Sequence, residues 1–356
     1  MPSSTTALSI EELPLPPQGK IGWPWTEPIQ PLPERMSDGS EWPRISIVTP
    51  SYNYGRFIEE TIRSVLLQGY PNLEYIIIDG GSTDNTVEII QKYEKYLTYW
   101  VSEPDAGQTD AINKGYQHCT GDIFVWLNAD DSYINSTCLS NIATIYRSGY
   151  EFIVGEFLPV DEDGNELSAY KQYGKSTPVN FYQCLKFWAY GVLPQPAVFI
   201  ATTITDKCFP LDSDLEVVMD FQFFIRALSQ NPRAIWVNQI WVKFKYHGNN
   251  KSLGNINKNQ EFDGFLEIYN VALSESDKLP IVLRMLFQTE LKDYKAIHSL
   301  ISSNKPPTTS KVMSFLLSRP TLGRWLLFWK IFLKSLLGTK LYSVLKETVF
   351  LKAPIN

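Results

Sequence analysis

Four times between residues 45 and 131 a short apolar run stops abruptly in a cluster of acids, amides and hydroxyls. The runs are Ile45-Ser46-Ile47-Val48-Thr49-Pro50, Leu73-Glu74-Tyr75-Ile76-Ile77-Ile78, Thr98-Tyr99-Trp100-Val101-Ser102 and Ile123-Phe124-Val125-Trp126-Leu127. Their β-branched and aromatic content predicts strands, and the unbroken apolar character of the last predicts burial on both faces. Between them the apolar period lengthens to that of a helix. Ile58, Ile62, Val65 and Leu66 share one face before Gly69 and Pro71 close the segment. Val87, Ile90, Tyr93 and Leu97 share another, and Thr109 to His118 reads as a third helix. Three strand–helix units leading to a fourth strand predict an α/β fold: a Rossmann-like, mostly parallel sheet flanked by helices. Such sheets bind ligands in the crevice beyond the carboxyl ends of their strands.

The polar clusters stand at those ends: Thr49 to Asn53, Asp79 to Asp84, Asp105 to Gln108, and Asn128 to Asp131. Taken alone, Asn128-Ala129-Asp130-Asp131 reads equally as a helix cap or as a holder for a hard divalent cation such as Mg²⁺ or Mn²⁺. Four clusters at one sheet edge point to a shared ligand, and helix N-termini entering the same crevice favour phosphate. No G-x-G-x-x-G follows the first strand and no G-x-x-x-x-G-K-[ST] occurs, so a nicotinamide Rossmann enzyme and a P-loop NTPase both lose their main support.

Composition narrows the class further. A net charge of −6 argues against a general nucleic-acid binder, whose footprint would be basic. Cys119, Cys138, Cys184 and Cys208 form no CxxC pair, so free thiols in a reducing cytoplasm are expected. No secretory signal opens the chain, and no uncharged run approaches the ~18 residues of a membrane span. Residues 1–43 form a proline-rich arm, with Trp23, Trp25 and Trp42 expected to anchor it on the domain or, alternatively, to flank a proline-rich docking ligand. The main domain is expected over residues 44–260. Residues 261–356 are expected to be a basic helical extension: from Lys305 onward there are nine Lys or Arg and one acid, Glu347. There Trp325, Phe328, Trp329, Phe332, Leu333 and Leu336 fall on one helical side with Lys330 and Lys334 on another, a pattern that suits either the inner face of an anionic membrane or packing on the domain.

Five motifs in order carry a family resemblance. They are Thr-Pro-Ser-Tyr-Asn at 49–53, Asp-Gly-Gly-Ser-Thr-Asp-Asn-Thr at 79–86, Glu-Pro-Asp-x-Gly at 103–107, Asp-Ala-Ile-Asn-Lys-Gly at 110–115 and Leu-Asn-Ala-Asp-Asp at 127–131. Together they resemble the nucleotide-sugar domain of family 2 glycosyltransferases, over residues 44 to 255. The resemblance implies a GT-A fold, a nucleoside-diphosphate sugar donor (UDP above GDP or dTDP), a divalent Mn²⁺ or Mg²⁺ and inversion at the anomeric carbon. Carried over residue by residue, Thr49, Pro50, Ser51 and Asn53 would border the nucleoside, and Asp79 would accept a hydrogen bond from the base. Gln108, Asp110, Asn113 and Lys114 would flank the ribose and diphosphate, although Lys114 reads equally as a solvated helix residue. Asn128, Ala129 and Asp130 would meet the donor, with Asp130 as metal ligand. Asn128 departs from the family's D-x-D, since an amide brings no charge.

Downstream, Phe152 to Gly155 reads as a strand, Asp161 to Asn165 as a turn, Val179 to Trp188 as a helix and Ala197 to Ile200 as a strand. An aromatic helix follows the acids at Asp214 to Asp220, and Asp220 matches the family's catalytic base; by itself it reads equally as a cap or a partner of Arg226. Gln195 would shape the acceptor pocket, and His247 would be a metal or phosphate contact or a structural histidine. The metal has a physical rationale. Cleaving the sugar from its diphosphate leaves extra negative charge, and one opposed charge pair at about 4 Å contributes roughly 4 kcal/mol at an effective dielectric near 20. The expected protein is therefore a cytoplasmic, peripheral-membrane glycosyltransferase acting on a glycan or lipid-linked acceptor in cell-surface polysaccharide synthesis. A nucleotidyltransferase acting on sugar phosphates, or a non-catalytic nucleotide-sugar binder, are the alternatives.

Overall fold

The computed structural model describes residues 10–167, 179–187, 193–215, 217–248, 250, 260–301 and 308–318. Two compact units result, one over residues 1–257 and one over residues 258–356. The basic, tryptophan-bearing segment expected to form a terminal helix lies outside the described residues.

The first unit is built on one sheet. Strands β1 (Ile45–Ser51), β2 (Leu73–Asp79), β3 (Tyr99–Ser102) and β4 (Ile123–Trp126) run parallel in the order β3-β2-β1-β4, each parallel pair separated by a helical crossover. The crossovers are α1 (Ile58–Leu66), α2 (Thr86–Tyr93) and α3 (Gln108–Tyr116). β1 is buried along its whole length, its Ser46, Thr49 and Ser51 included. α3 lies tight on it because Gly115 has no side chain: a Cβ there would stand 2.4 Å from Val48 Cγ1. That close approach brings Gln108, at the start of α3, to the strand ends.

Beyond β4 the sheet becomes mixed. After β5 (Ser132–Tyr133) and α4 (Cys138–Arg147), strand β6 (Phe152–Val160) runs on to the turn at Asp161, where Asp161 Oδ1 accepts the backbone N–H groups of Asp163 and Asn165. Helix α5 (Phe181–Leu185) is capped by Asn180 and is shorter than the sequence pattern suggests. β7 (Val198–Ala201) pairs antiparallel with both β4 and β6, and leads through α6 (Thr202–Thr205) and α7 (Met219–Leu228) to β8 (Ala234–Lys245). The sequence suggests two short strands before His247, but β8 is one long strand with irregular register against β6. β5 has two residues, too few to register as an alternating pattern.

The N-terminal arm packs on this unit. Leu13, Trp25, Met36 and Trp42 are buried, and Trp23 Nε1 donates to the carbonyl of Tyr133 at 2.7 Å. Helix α1 is consequently covered on both faces, which explains a fully buried arginine on a helix whose apolar stripe faces the sheet. Arg63 donates to the carbonyls of Pro14, Pro24 and Trp25 at 2.8, 3.1 and 2.9 Å and to the Tyr93 hydroxyl at 3.2 Å.

In the second unit, α8 (Gln260–Glu275) and α9 (Ile281–Ile301) pack together, with Phe265 stacked on His298 at 3.6 Å, and α10 (Thr309–Ser318) follows. No described helix is long and apolar enough to cross a membrane.

Arg63→Ala leaves three buried carbonyls without their donor, so it is expected to lower stability by about 2–4 kcal/mol in urea denaturation. The exposed Lys92→Ala on the neighbouring helix serves as control. Equal midpoints for the two variants would show that the arm is held by other means.

Candidate functional site

A cavity of about 910 Å³ opens where the parallel strands end. Its wall takes Pro50 and Ser51 from β1, Gly80 and Gly81 after β2, Pro104 and Asp105 after β3, and Asn128 to Asp130 after β4. Gln108, Gln195, Met219, Asp220, His247 and Asn250 also line it. The sequence motifs therefore do converge on one crevice, but their members divide into two groups.

The first group builds the loops, and of its members Asn53 also reaches the cavity wall. Asn53 adopts a left-handed backbone (φ 59°), and its side-chain oxygen accepts the Thr83 N–H at 2.8 Å while its own N–H donates to Ser82 Oγ at 2.7 Å. Asp84 receives the N–H groups of Gly55 and Thr86 at 3.0 Å each. Asp79 is fully buried and off the cavity wall: Oδ2 accepts from Gly81 N (3.2 Å), Ser82 N (2.8 Å) and Ser102 Oγ (2.7 Å), and Oδ1 from Ser82 Oγ (2.5 Å). Asp79, expected at the base, folds its own loop in this structure. Thr49 is likewise buried beneath the cavity, 3.2 Å from the Tyr75 hydroxyl.

The expected α3 stretch divides in the same way. Among its four residues Gln108 reaches the wall. Asn113 is spent on backbone, donating to the Leu211 carbonyl at 3.0 Å and accepting the Leu211 N–H at 2.7 Å. Asp110 and Lys114 pair at 3.3 Å, and Lys114 also meets Glu103 at 3.1 Å, away from the cavity wall. A helix presents one residue in three or four to a given side, so residues spaced 0, 2, 5 and 6 along α3 do not share a face.

The second group faces the cavity. Asn128 is fixed by two glutamines: its Oδ1 accepts from Gln108 Nε2 at 2.9 Å and its Nδ2 donates to Gln195 Oε1 at 3.1 Å. Gln195 Nε2 in turn donates to the Trp126 carbonyl at 2.9 Å. Ser51 Oγ and Trp126 Nε1 are buried with no hydrogen-bond partner among the described residues.

Asp130 and Asp131 do not cap a helix, since α4 begins only at Cys138. The Asp131 N–H closes a turn on the Asn128 carbonyl at 3.1 Å, and the Thr61 hydroxyl meets the carbonyls of Ala129 and Asp131 at 2.9 and 2.7 Å. Asp130 Oδ2 lies 2.9 Å from His247 Nε2 and accepts from Asn250 Nδ2 at 3.1 Å. His247 is stacked on Phe57 with centroids 4.7 Å apart. Asp131 points the other way, towards the Lys245 N–H at 3.3 Å; burial first, and then the Asp130 charge, push its carboxyl well above the usual carboxylate range. Among the described residues no three His, Cys, Asp or Glu side chains converge as a self-sufficient metal site would need. Asp130 and His247 form an oxygen–nitrogen pair on the cavity wall, the residues that could contribute to holding a divalent cation.

Asp220 stands in the first turn of α7 with Oδ1 accepting the Phe221 N–H at 2.7 Å; the cap position belongs to Val218. Burial raises its carboxyl to about 6, against modest lowering by backbone N–H groups. Asp105 and Asn250 were not singled out from the sequence, although both stand inside stretches that were: Asp105 within the motif at 103–107, and Asn250 three residues after His247.

Residues 46–204 match the family model described as Glycosyl transferase family 2. The chain is similar to an uncharacterized glycosyltransferase of Mycobacterium tuberculosis, 27% identical over 197 residues that cover 52% of this chain and 69% of the relative. It is also similar to the Bacillus subtilis protein named "Putative teichuronic acid biosynthesis glycosyltransferase TuaG", 32% identical over 133 residues that cover 36% of this chain and 52% of the relative. Among solved structures, Staphylococcus aureus TarS 1–349 in complex with UDP-GlcNAc superposes with a TM-score of 0.56 at 17% identity, covering 83% of this chain and 80% of that one. The match to a longer TarS chain spans 43% of it. A mannosyltransferase of Pyrobaculum calidifontis in complex with GDP-Man and Mn²⁺ gives a TM-score of 0.52 at 15% identity, covering 86% and 88%. At these identities the structural likeness establishes the fold, which is GT-A.

Proposed function

We propose, on the premise that this chain carries a glycosyltransferase family 2 domain, that it moves a sugar with inversion from a nucleoside-diphosphate sugar to a hydroxyl of a glycan or lipid-linked acceptor in cell-surface polysaccharide synthesis. The observation that carries this reading is that Asp130, His247 and Asp220 line one cavity at the strand ends of the sheet. The names of TuaG and the UDP-GlcNAc bound to TarS support the polymer class and a UDP donor.

Each part of the cavity has a job in that reaction. Pro50, Ser51 and Asn53 border the nucleoside, and the buried unpartnered Ser51 hydroxyl is the kind of group a ligand satisfies. Asn128, held at both ends by Gln108 and Gln195, presents a fixed amide edge to the donor. Asp130 and His247 are the residues that would hold a divalent cation, Mn²⁺ or Mg²⁺. When bound, it supplies positive charge to the departing diphosphate. Asp220 takes the proton of the acceptor hydroxyl as the oxygen bonds to the anomeric carbon and the carbon–oxygen bond to the β-phosphate breaks. A base on the acceptor side, away from the leaving group, gives inversion. With its carboxyl raised to about 6, Asp220 is ionised at neutral pH yet a stronger proton acceptor than an ordinary aspartate.

The sign of the pH dependence follows. The competent form is the ionised one, so kcat/KM is expected to fall about tenfold per unit as pH drops below about 6 and to level off above it. Asp220→Asn is expected to lose roughly 10²–10⁴-fold in turnover with UDP affinity unchanged by calorimetry. Unchanged turnover removes Asp220 from the mechanism. A wild-type chain that binds the nucleotide but transfers no sugar to any glycan or lipid-linked acceptor would be the non-catalytic binder.

A peripheral membrane contact at the cytoplasmic face suits a lipid-linked acceptor, and the excess of Lys and Arg after Lys305 supports it. Lys330→Glu with Lys334→Glu in the full chain is expected to reduce co-sedimentation with phosphatidylserine vesicles at least tenfold, since each basic residue near an anionic surface contributes about 1 kcal/mol. Undiminished sedimentation would locate the contact elsewhere or nowhere.

A further inference from the structure

The wall residues around Gly80 raise the question of what reads the base once Asp79 is excluded. Asp79 has no exposed surface and its two oxygens already take four hydrogen bonds. Twenty-six residues later, at the end of the neighbouring strand, Asp105 offers what Asp79 does not. It lies on the cavity wall and is partly open to solvent. Its Oδ1 accepts the Gly107 N–H at 2.8 Å, and its Oδ2 has no hydrogen-bond partner among the described residues. The two glycines that follow Asp79 make room for it: a Cβ on Gly80 would stand 2.8 Å from Asp105 Oδ2, and Gly81, at φ +80°, passes the backbone of Pro104 at the same point. Tyr52, 57% exposed, lines the same cavity and brings an aromatic ring.

We infer that Asp105 is the residue that selects the nucleobase, and that it selects a uracil-type base by accepting the N3–H on Oδ2. This rests on the reading of the cavity as a nucleotide-sugar site. An ionised carboxylate accepts and cannot donate. Cytosine presents a lone pair at N3 and is repelled. Guanine presents two adjacent donors, N1–H and the N2 amine, whose match is a carboxylate with both oxygens free. Here one oxygen is engaged by Gly107, and the single free oxygen matches the single N–H of uracil or thymine. The glycines at 80 and 81 then have a functional reason beyond loop geometry, because a side chain at 80 would displace the carboxylate.

The substitution Asp105→Asn tests this through a change of preference, not just a loss. The Gly107 N–H keeps an oxygen as its acceptor, so the amide –NH₂ turns to the base. A donor now faces N3, opposing uracil and matching cytosine. Calorimetry on the full chain with UDP, CDP, GDP and N3-methyl-UDP gives the expected pattern. The wild-type chain binds UDP at least tenfold tighter than CDP, GDP or N3-methyl-UDP, in line with a hydrogen bond to a charged group. In Asp105→Asn the UDP affinity falls about 10- to 100-fold, CDP affinity is kept or gained, and N3 methylation costs less than twofold. Equal wild-type binding of UDP and N3-methyl-UDP, or of UDP and GDP, overturns the inference without any variant. So does an Asp105→Asn chain that loses UDP and CDP alike. If the wild-type chain binds none of these nucleotides, the nucleotide-sugar reading itself falls and takes this inference with it, an outcome distinct from UDP binding that ignores N3.

Discussion

Two consecutive carboxylates at the end of a buried strand are costly to hold close together in an apolar setting, and much of the site follows from how this chain separates them. Asp131 turns inward and is 1% exposed; burial and its neighbour's charge hold its carboxyl above the usual range. Asp130 turns outward to the cavity, where His247 and Asn250 meet it. The turn between them is gripped from three sides, by Thr61 of α1, by the backbone of Lys245 on β8 and by the Asn128 carbonyl. Lys245 is itself tied to Glu60 of α1 at 2.8 Å. The placement of one charge at the crevice therefore depends on α1, and α1 depends on the arm whose carbonyls surround Arg63.

The polar residues at the strand ends carry two burdens that look alike in sequence. A loop that crosses a crevice needs its backbone N–H groups satisfied, and Asp79, Ser82, Asn53 and Asp84 do this for the loops after β1 and β2. Asp105 and Ser51 line the cavity with an oxygen that no neighbour takes, while Asp130 and His247 line it already paired with each other. Asn128 sits between the groups, oriented by glutamines from α3 and from the segment before β7 while lining the cavity itself. Rigid positioning of this kind is what an uncharged amide in place of an acid can contribute to a donor site.

The parallel half of the sheet could be read from residues 45–127 because β1, β2 and β4 are almost wholly buried, the edge strand β3 is half-buried, and each crossover helix repeats its apolar residues at helical spacing, two periods that do not mimic one another. The mixed half was harder. β5 is two residues long, β8 is a twelve-residue strand of irregular register, and the helix at Phe181–Leu185 is a single turn and a half. Local pattern is weak in such elements, and pairing of β8 with β6 and of β5 with β8 sets the limits of the strands. In α3, contiguity in the motif suggested contiguity in space, yet Asn113 reaches for Leu211, almost a hundred residues on, and Lys114 reaches for Glu103.

By itself, then, the sequence determined that four strands deliver acids and amides to one edge of an α/β sheet, because burial of continuous apolar runs leaves no other place for those side chains to emerge. Tertiary structure decided which of them remain free for a ligand. Each carboxylate or amide has a fixed number of hydrogen bonds to give or take, and whether a neighbouring backbone has already taken them depends on contacts far apart in the chain: Asp79 with Ser102, Asn113 with Leu211, Asp130 with His247.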